Sequence, residues 1–208
     1  MKVLVIGATG LTGRIAVRKL IEQHHEVTAM VRKTSPALVE NERFKAVHGE
    51  ARDPATIELA VLGKDAVLSA FGPRSIRKDD LQEAFMRNLV TAMQRTHVRR
   101  LVNLSAWGAG DSYPNLVLPG RLILRTLMRS FFDDKNRGEA ILLASDLDFV
   151  NVRPGRLSNR AARGHVRASL DPDKVDPLPF MTREDLAAFM VAQLTSDTWL
   201  RKSPLIGY

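Results

Sequence analysis

Short apolar runs and amphipathic segments alternate along most of this sequence. Apolar runs rich in branched residues are typical of strands that are buried on both faces of a parallel sheet. Apolar positions spaced three and four residues apart are typical of helices that bury one face. This pattern predicts strands, in chain order, at Val3–Ile6, Glu26–Val31, Asp65–Ala70, Arg100–Leu104 and Leu147–Val152. Alternating apolar and polar residues predict a further strand at Phe44–His48, after the second of these. It predicts helices at Leu11–His24, Asp53–Leu62, Asp79–Thr96 and Thr182–Leu194.

The order of these elements predicts the fold class. Strands that alternate with helices form a doubly wound parallel sheet with helices on both faces, the Rossmann-type α/β architecture. A chain of 208 residues is long enough for one core but not for two full domains. We therefore expect a single domain over residues 1–208. The residues from about 153 to 208 are richer in Pro and Asp turns, and we expect them to form a short cap at the carboxyl edge of the sheet.

The composition excludes several kinds of site. The sequence contains no cysteine, which excludes disulfide scaffolds, thiolate nucleophiles and Cys-ligated metal centres and favours a reducing cytoplasm. The 5 histidines lack the spacing of a metal site, so no metal is expected. Neither a secretory signal nor an apolar run of the ~18 residues that a spanning helix needs is recognisable. We expect a soluble, cytoplasmic protein with no transmembrane segment.

The formal net charge of +8 raises the question of an anionic partner. Arginines recur without an acidic residue between Val150 and Leu170. A solvated loop face, a site for an anionic small molecule and a nucleic-acid surface are the three interpretations. Nucleic acid is the weakest of them, because the stretch has no aromatic residue to stack a base, and no nucleic-acid partner is expected. The residues concerned are Arg153, Arg156, Arg160, Arg163 and Arg167.

The segment Pro114–Phe132 combines many apolar residues with arginines at every fourth position. Arg121, Arg125 and Arg129 share one face of a predicted helix. This spacing predicts a packed helix with a solvated arginine stripe. A lid over the site, a subunit interface and a membrane-surface helix are the alternatives. The oligomeric state stays open.

Closely spaced glycines lie directly between the first predicted strand and the first helix. In that context Gly7 permits a tight turn, Gly10 lets the backbone approach a diphosphate, and Gly13 allows close contact between helix and strand. Free N–H groups at the start of the helix would face the anion. The sequence therefore predicts a dinucleotide site. The residues predicted to surround the phosphates are Gly7, Thr9, Gly10, Leu11, Thr12, Gly13 and Arg14.

The end of the second predicted strand favours NADP over NAD. An acidic residue at that position would hold the ribose hydroxyls of NAD, and none is present. Arg32 and Lys33 instead place two cations where the 2′-phosphate of NADP (NADPH) would lie. A solvated turn is the competing explanation for these two residues, and it would leave the choice of cofactor open.

The glycine turn, the end of the second strand and several later segments resemble those of atypical and extended short-chain dehydrogenase/reductase proteins of the NAD(P)-binding, NmrA-like group. The segment from Ser105 to Trp107 and the strand end Val31-Arg32 are most similar to the biliverdin reductase B / flavin reductase branch. The segments that carry the resemblance are Gly7–Gly13, Gly49–Asp53, Ala70–Arg74, Asn103–Ala106 and Val152–Gly155. The resemblance implies cofactor contacts from Glu50, Ala51, Ala70, Phe71, Gly72, Arg74, Ser105, Lys135, Pro154 and Gly155.

One departure from the resembled family bears on the chemistry. Typical members pair the serine with Tyr-x-x-x-Lys, in which the tyrosine donates a proton. Here Lys135 and Glu139 have the Lys-x-x-x-Glu spacing of extended members, and Phe131 stands at the tyrosine position. Phenylalanine has no proton to give, so reduction of an ordinary carbonyl is disfavoured.

The resemblance and this departure together imply NADPH-dependent hydride transfer to a flavin, quinone or tetrapyrrole-like acceptor that is planar and can carry anionic groups. Ser105 and Lys135 are the candidate catalytic residues, although a strand-end serine also caps backbone groups. Trp107 and Phe71 would form an apolar floor, or belong to the core. Arg156 and Arg74 would attract anionic groups of the acceptor, or be solvated. The rival functions are a dinucleotide-binding redox sensor with little turnover and a sugar-nucleotide epimerase or dehydratase.

Overall fold

The computed structural model describes residues 1–32, 41–72, 80–115, 129–176 and 180–208. Its strands are β1 Lys2–Ile6, β2 Glu26–Val31, β3 Phe44–His48, β4 Ala66–Ser69, β5 Arg100–Leu104, β6 Asp148–Pro154, β7 Leu157–Ser158, β8 Arg167–Ser169, β9 Met181–Thr182 and β10 Leu205–Gly207. Its helices are α1 Leu11–Glu22, α2 Pro54–Val61, α3 Leu81–Arg95, α4 Arg129–Leu143 and α5 Arg183–Ala192. Short 3₁₀ turns lie at Gly110–Asn115 and Pro172–Lys174.

Eight strands form the main sheet in the order β3-β2-β1-β4-β5-β6-β10-β8. All neighbours are parallel except β10 and β8, which are antiparallel. The chain winds outwards from β1 in both directions, so the point where the strand order reverses lies between β1 and β4. In a doubly wound sheet, ligands bind outside the carboxyl ends of the strands at this point. The predicted Rossmann-type fold is confirmed.

Helices cover both faces of the sheet, and a separate apolar cluster lies under each layer. In β1, Val3 and Val5 point to the face covered by α1 and α5, whereas Leu4 and Ile6 point to the face covered by α2, α3 and α4. All four side chains are buried. This two-sided burial explains why β1 is continuously apolar rather than alternating.

The carboxyl-terminal segment extends the sheet instead of only capping its edge, which corrects the expectation for residues 153–208. Strand β10 lies between β6 and β8, and Leu205 pairs with Arg153 on one side and with Ser169 on the other. Strands β7 and β9 form a separate two-stranded sheet, and α5 packs against α1. An apolar run as short as Leu205–Ile206 is too brief to distinguish a strand from a loop by its pattern alone.

The carboxylate of Asp185, at the start of α5, links four groups of this segment. It accepts hydrogen bonds from the backbone N–H groups of Arg163 at 2.8 Å and Gly164 at 3.1 Å. It also accepts hydrogen bonds from the hydroxyls of Thr182 at 2.8 Å and Tyr208 at 2.7 Å. Burial raises the pKa of the Asp185 carboxyl, but these hydrogen bonds outweigh burial and hold the pKa below its usual range.

Two helix starts on the α2, α3 and α4 face show different ways of capping. Asp53 directly precedes α2 and caps it, as the Asp53-Pro54 pair predicts, by accepting a hydrogen bond from the Ala55 N–H at 3.0 Å. Helix α3 is capped from another helix, because the Gln82 and Glu83 N–H groups donate to Asp134 of α4 at 2.8 and 3.1 Å. Among the described residues, no helix has both the length and the apolar character required to cross a membrane.

Candidate cofactor site

The glycine turn after β1 is packed too closely for side chains. Gly7 has φ +80°, and a Cβ atom there would lie 2.5 Å from the carbonyl oxygen of Ala70, at the end of β4. A Cβ atom on Gly13 would lie 2.1 Å from the carbonyl oxygen of Gly7. The turn itself is closed by the Gly10 N–H, which donates to the Gly7 carbonyl at 2.9 Å. The backbone of β1, β4 and α1 therefore meets at the switch point, as the glycine spacing predicts.

The amino terminus of α1 is open toward solvent. Gly10 is its N-cap, no side chain in the described parts of the chain caps the helix, and no acidic residue lies in the first turn. Leu11 and Arg14 are exposed, Thr9 is half-buried and Thr12 is buried. Unpaired N–H groups and the positive end of the helix dipole bind anions. A dinucleotide diphosphate fits this cradle, because the helix has neither a capping side chain among the described residues nor an acidic residue in its first turn.

Other residues that are predicted to contact the cofactor follow the neighbouring strands β2, β3 and β4. Arg32 is exposed directly after β2, whereas Lys33 and Arg74 lie outside the described residues. The Glu50 N–H donates to the Thr56 hydroxyl at 3.2 Å, and the Ala51 carbonyl accepts a hydrogen bond from Asn88 at 3.2 Å. These bonds fix the loop after β3.

The loop after β4 carries one member of an aromatic pair. Phe71 contacts Phe85 of α3 with a separation of 4.2 Å between the ring centroids. Among the described residues, no atom lies within 4 Å of the position that a Cβ on Gly72 would take. Phe71 is half-buried, so part of its ring stays available beside the turn.

The candidate catalytic Ser105 is joined to a buried carboxylate. Ser105 follows β5, is 6% exposed, and its hydroxyl donates to Glu139 of α4. Glu139 also accepts hydrogen bonds from Asn151 at 3.0 Å and from Arg153 Nη2 at 2.6 Å. Asn151 accepts a hydrogen bond from Asn103 on the neighbouring strand at 2.8 Å. The strand-end serine is therefore part of a polar network inside the α4 face.

Arg153 connects this network to the surface. It is 3% exposed, lies at the end of β6 and pairs with buried Glu139 on one side and exposed Asp111 on the other. Burial lowers the pKa of the guanidinium, but the two carboxylates outweigh burial and raise the pKa of Arg153. The arginine run after Val150 is thus not one uniform face, since its first member is buried while Arg160, Arg163 and Arg167 are exposed.

Lys135 lies one helical turn before Glu139 and is 7% exposed. Burial lowers the pKa of its ammonium, and the carboxylates of Glu139 and Asp134 act in the opposite direction. Phe131 lies one turn before Lys135, and the Lys135 Nζ is 6.0 Å from the centroid of its ring. The helix therefore places phenylalanine, lysine and glutamate on one face, with phenylalanine at the tyrosine position.

The remaining predicted residues lie around the end of β6. The Pro154 carbonyl accepts a hydrogen bond from the Trp107 N–H of the backbone at 2.8 Å. The Trp107 side chain is 6% exposed and packs with Val175 and Leu205, and its indole N–H has no partner among the described residues. Gly155 is half-buried, and the Arg156 guanidinium lies 4.8 Å from the centre of the Phe180 ring.

The chain was compared with known proteins and structures. A family model described as NAD(P)H-binding matches residues 7–197. The chain belongs to this NAD(P)H-binding family. It is 29% identical over 220 residues to photosystem II assembly factor Ycf39 of Synechocystis, a match that covers 100% of the chain but only 63% of that relative. Membership of the family confirms the prediction of an NAD(P)-binding Rossmann protein.

Two solved structures show the same fold as this NAD(P)H-binding chain. Anaerobilin reductase ChuY of Escherichia coli O157:H7 matches with a TM-score of 0.84 and 19% identity, over 100% of this chain and 97% of that one. A short-chain dehydrogenase/reductase of Veillonella parvula in complex with NADP matches with a TM-score of 0.82 and 18% identity, over 100% and 94%. At such identities the likeness concerns the fold alone.

Sequence reasoning missed the polar partners that surround Ser105 in this NAD(P)H-binding protein. Asn103 and Asn151 interrupt apolar runs in β5 and β6, and they are direct neighbours in the strand register. That interruption was the available signal, since a polar residue in a buried strand needs a hydrogen-bond partner. Asp111 gave no such signal. No group of metal-ligating side chains occurs within the part of the chain that the structure describes.

Proposed function

We propose that this NAD(P)H-binding protein is an NADPH-dependent reductase that transfers a hydride to a flavin, quinone or tetrapyrrole-like acceptor. The observation that carries the proposal is Phe131, one turn before buried Lys135, where the resembled dehydrogenases have their tyrosine acid. An electron-poor conjugated ring accepts hydride and takes its proton from water, so it needs no such acid. A simple ketone or aldehyde does need one.

NADPH supplies the hydride when it is bound. The open amino terminus of α1 and the turn from Gly7 to Gly13 would hold its diphosphate. Arg32, exposed after β2, would bind the 2′-phosphate together with Lys33. The NADP complex of the Veillonella parvula neighbour supports this choice of cofactor.

The acceptor would lie against the loop after β4 and the end of β5. The half-buried ring of Phe71 offers an apolar contact there, and Ser105 offers a polar one. The Arg156 guanidinium lies close to the exposed ring of Phe180. A planar acceptor that packs beside this ring would lie near the positive charge. The name of the neighbour ChuY, an anaerobilin reductase, supports a tetrapyrrole-like acceptor.

Steady-state loss of NADPH absorbance tests this function. Purified protein is mixed with NADPH and with riboflavin, FMN, menadione or biliverdin in turn, and with a simple ketone as the matched carbonyl control. We expect oxidation of NADPH with at least one conjugated acceptor and none with the ketone. Turnover of the ketone alone would contradict the role assigned to Phe131, and no turnover with any acceptor would contradict the reductase.

A second candidate function is a redox sensor that binds the dinucleotide without turnover. The similarity to photosystem II assembly factor Ycf39, together with the missing tyrosine, favours it. Titration calorimetry combined with the acceptor screen distinguishes the two functions. A sensor binds NADPH but oxidises none of it in the acceptor screen. A reductase binds NADPH and also oxidises it.

A further inference from the structure

The carboxylate of Glu139 determines the direction of the Ser105 hydrogen bond. Its Oε1 atom accepts hydrogen bonds from the Ser105 hydroxyl, from Asn151 at 3.0 Å and from Arg153 Nε at 3.3 Å. Its Oε2 atom accepts from Arg153 Nη2 at 2.6 Å. A carboxylate paired with a guanidinium has no proton to donate. The proton of the Ser105 hydroxyl must therefore point to Glu139.

A serine hydroxyl has one proton and two lone pairs. With its proton directed to Glu139, Ser105 can only accept a hydrogen bond from a ligand. Ser105 follows β5 on the same edge of the sheet as Gly7 and Ala70, which follow β1 and β4. A serine that polarises a carbonyl must donate its proton to the carbonyl oxygen. Ser105 is oriented the other way.

The arrangement is held from several sides. Arg153 is bound to Asp111 as well as to Glu139, and Asn151 is bound to Asn103 and Ser203. Rotating the Ser105 hydroxyl away from Glu139 would remove one donor from a buried carboxylate and leave its charge less compensated. The orientation is therefore a stable property of the folded protein.

We propose that the Glu139–Arg153 pair fixes Ser105 as a hydrogen-bond acceptor, so that the site selects a hydride acceptor with a ring N–H group over one that presents carbonyl oxygens alone. Isoalloxazines and tetrapyrroles carry such an N–H group, and quinones do not. This inference rests on the proposed function, because it names the class of acceptor within it. Ser105 is the contact residue, and Glu139 and Arg153 are positioning residues.

Lumiflavin and 3-methyllumiflavin form a matched pair of ligands that tests this assignment. They share ring and carbonyl groups, and only lumiflavin has the N3–H group. Binding is measured by quenching of flavin fluorescence with protein saturated with NADP⁺, so turnover is not required. We expect the wild-type protein to bind lumiflavin about tenfold more tightly, the cost of leaving one buried hydrogen-bonding group unpaired.

Ser105→Ala should abolish the discrimination by weakening lumiflavin and leaving 3-methyllumiflavin unchanged. Ser112→Ala is the matched control, because Ser112 is also buried but its hydroxyl donates to the Ala109 carbonyl and not to the network. The control should keep the wild-type preference. Equal affinities of the two flavins for wild-type protein, no binding of either, or a preference that survives Ser105→Ala would each overturn the proposal.

The double variant E139L/R153M tests the positioning role. Replacing a buried ion pair by apolar residues of similar volume is often neutral for stability, so this variant should fold, as circular dichroism would check. The freed Ser105 hydroxyl could then donate to a flavin carbonyl, and the preference for lumiflavin should disappear while NADP⁺ affinity stays unchanged. A folded double variant that keeps the preference would refute the role of the pair, and if it does not fold, Ser105→Ala decides.

The result also separates this inference from the reductase itself. Discrimination between the flavins with no oxidation of NADPH would contradict the proposed function and support the orientation of Ser105. Oxidation of NADPH without discrimination would support the reductase and overturn the inference.

Discussion

The glycine turn allows one substitution that should affect folding and another that should affect only the cofactor. Gly13→Ala places a Cβ atom 2.1 Å from the Gly7 carbonyl oxygen and 2.9 Å from the Ala8 Cα, where ordinary contacts are 3.4–4 Å. Gly10→Ala places its Cβ atom 3.2 Å from the same oxygen. The Gly10 backbone has φ −76° and ψ 164°, which alanine adopts without strain.

The expected magnitudes follow from these distances. At position 13, backbone must move by more than an ångström inside a closely packed strand–helix contact. Overpacking of this kind costs about 1–3 kcal/mol, and we expect the upper end, about 3 kcal/mol. For a chain of this length that lowers Tm by about 6–12 °C. At position 10 the backbone needs to move by only tenths of an ångström, so we expect a change in Tm of less than about 2 °C.

For NADPH binding we expect the opposite order, with the larger effect from Gly10→Ala. The methyl group of Gly10→Ala stands where the backbone would approach the diphosphate, so NADPH loses its contacts with the amino terminus of α1. We expect the Kd for NADPH to rise about 100-fold, equivalent to about 2.7 kcal/mol. Gly13→Ala should weaken NADPH only as far as it distorts the turn.

Circular dichroism melting and titration calorimetry with NADPH, on both variants and the wild type, provide the two readouts. A Gly10→Ala variant that binds NADPH as tightly as wild type would refute the phosphate cradle. A Gly13→Ala variant that melts with wild type would refute the close approach of α1 to β1.

Arg32→Ala should raise the Kd for NADPH about tenfold and leave NADH nearly unchanged, because only NADPH carries the 2′-phosphate; Arg43→Ala, an exposed arginine beside β3, is the matched control, and equal losses for both nucleotides would contradict the assignment. Lys135→Met should abolish an increase in the free energy of unfolding with pH. Burial lowers the pKa of Lys135, so at alkaline pH the unfolded chain still holds a proton that the folded protein has released. Denaturant unfolding at about pH 7 and about pH 10 measures the change in the free energy of unfolding between the two pH values. The same change in the variant as in the wild type would argue against a lowered pKa of buried Lys135. Asp185→Asn should lower Tm at neutral pH, since the wild-type carboxylate has a lowered pKa and contributes stability above the pKa of the unfolded chain; that contribution is lost as pH falls through the folded pKa. Melting curves of variant and wild type should converge in acid, and a constant difference at all pH values would rule out this linkage.

Local spacing accounts for the parts of the site that the sequence predicts. The glycines at 7, 10 and 13 must follow a strand and open a helix, and α1 begins at Leu11 as expected. Strands β1 to β6 also lie within a few residues of their predicted ranges, because all of them except β3 have apolar runs inside the sheet and β3 has an alternating pattern. Phe131, Lys135 and Glu139 are four residues apart, so their common helix face follows from helix geometry alone.

The network around Ser105 depends on tertiary contacts, so the sequence signals buried polar residues in β5 and β6 but not the groups that they join. Its members come from β5, β6, α4 and the 3₁₀ turn at Gly110–Asn115, and no short-range pattern joins them. The side chain of Trp107 shows the opposite case. An aromatic residue after a strand suits a ligand floor or the core equally well, and only the packed structure shows its contact with Val175 and Leu205.

Strand β10 has a consequence for local stability. Segments without stable pairing open easily, and their amide protons exchange quickly after transfer to D₂O. Leu205 and Ile206 are instead buried and hydrogen-bonded between two other strands. Their amides should exchange more slowly than those of an unpaired segment, because exposing them requires β10 to separate from β8 or from β6, the strand that carries Arg153.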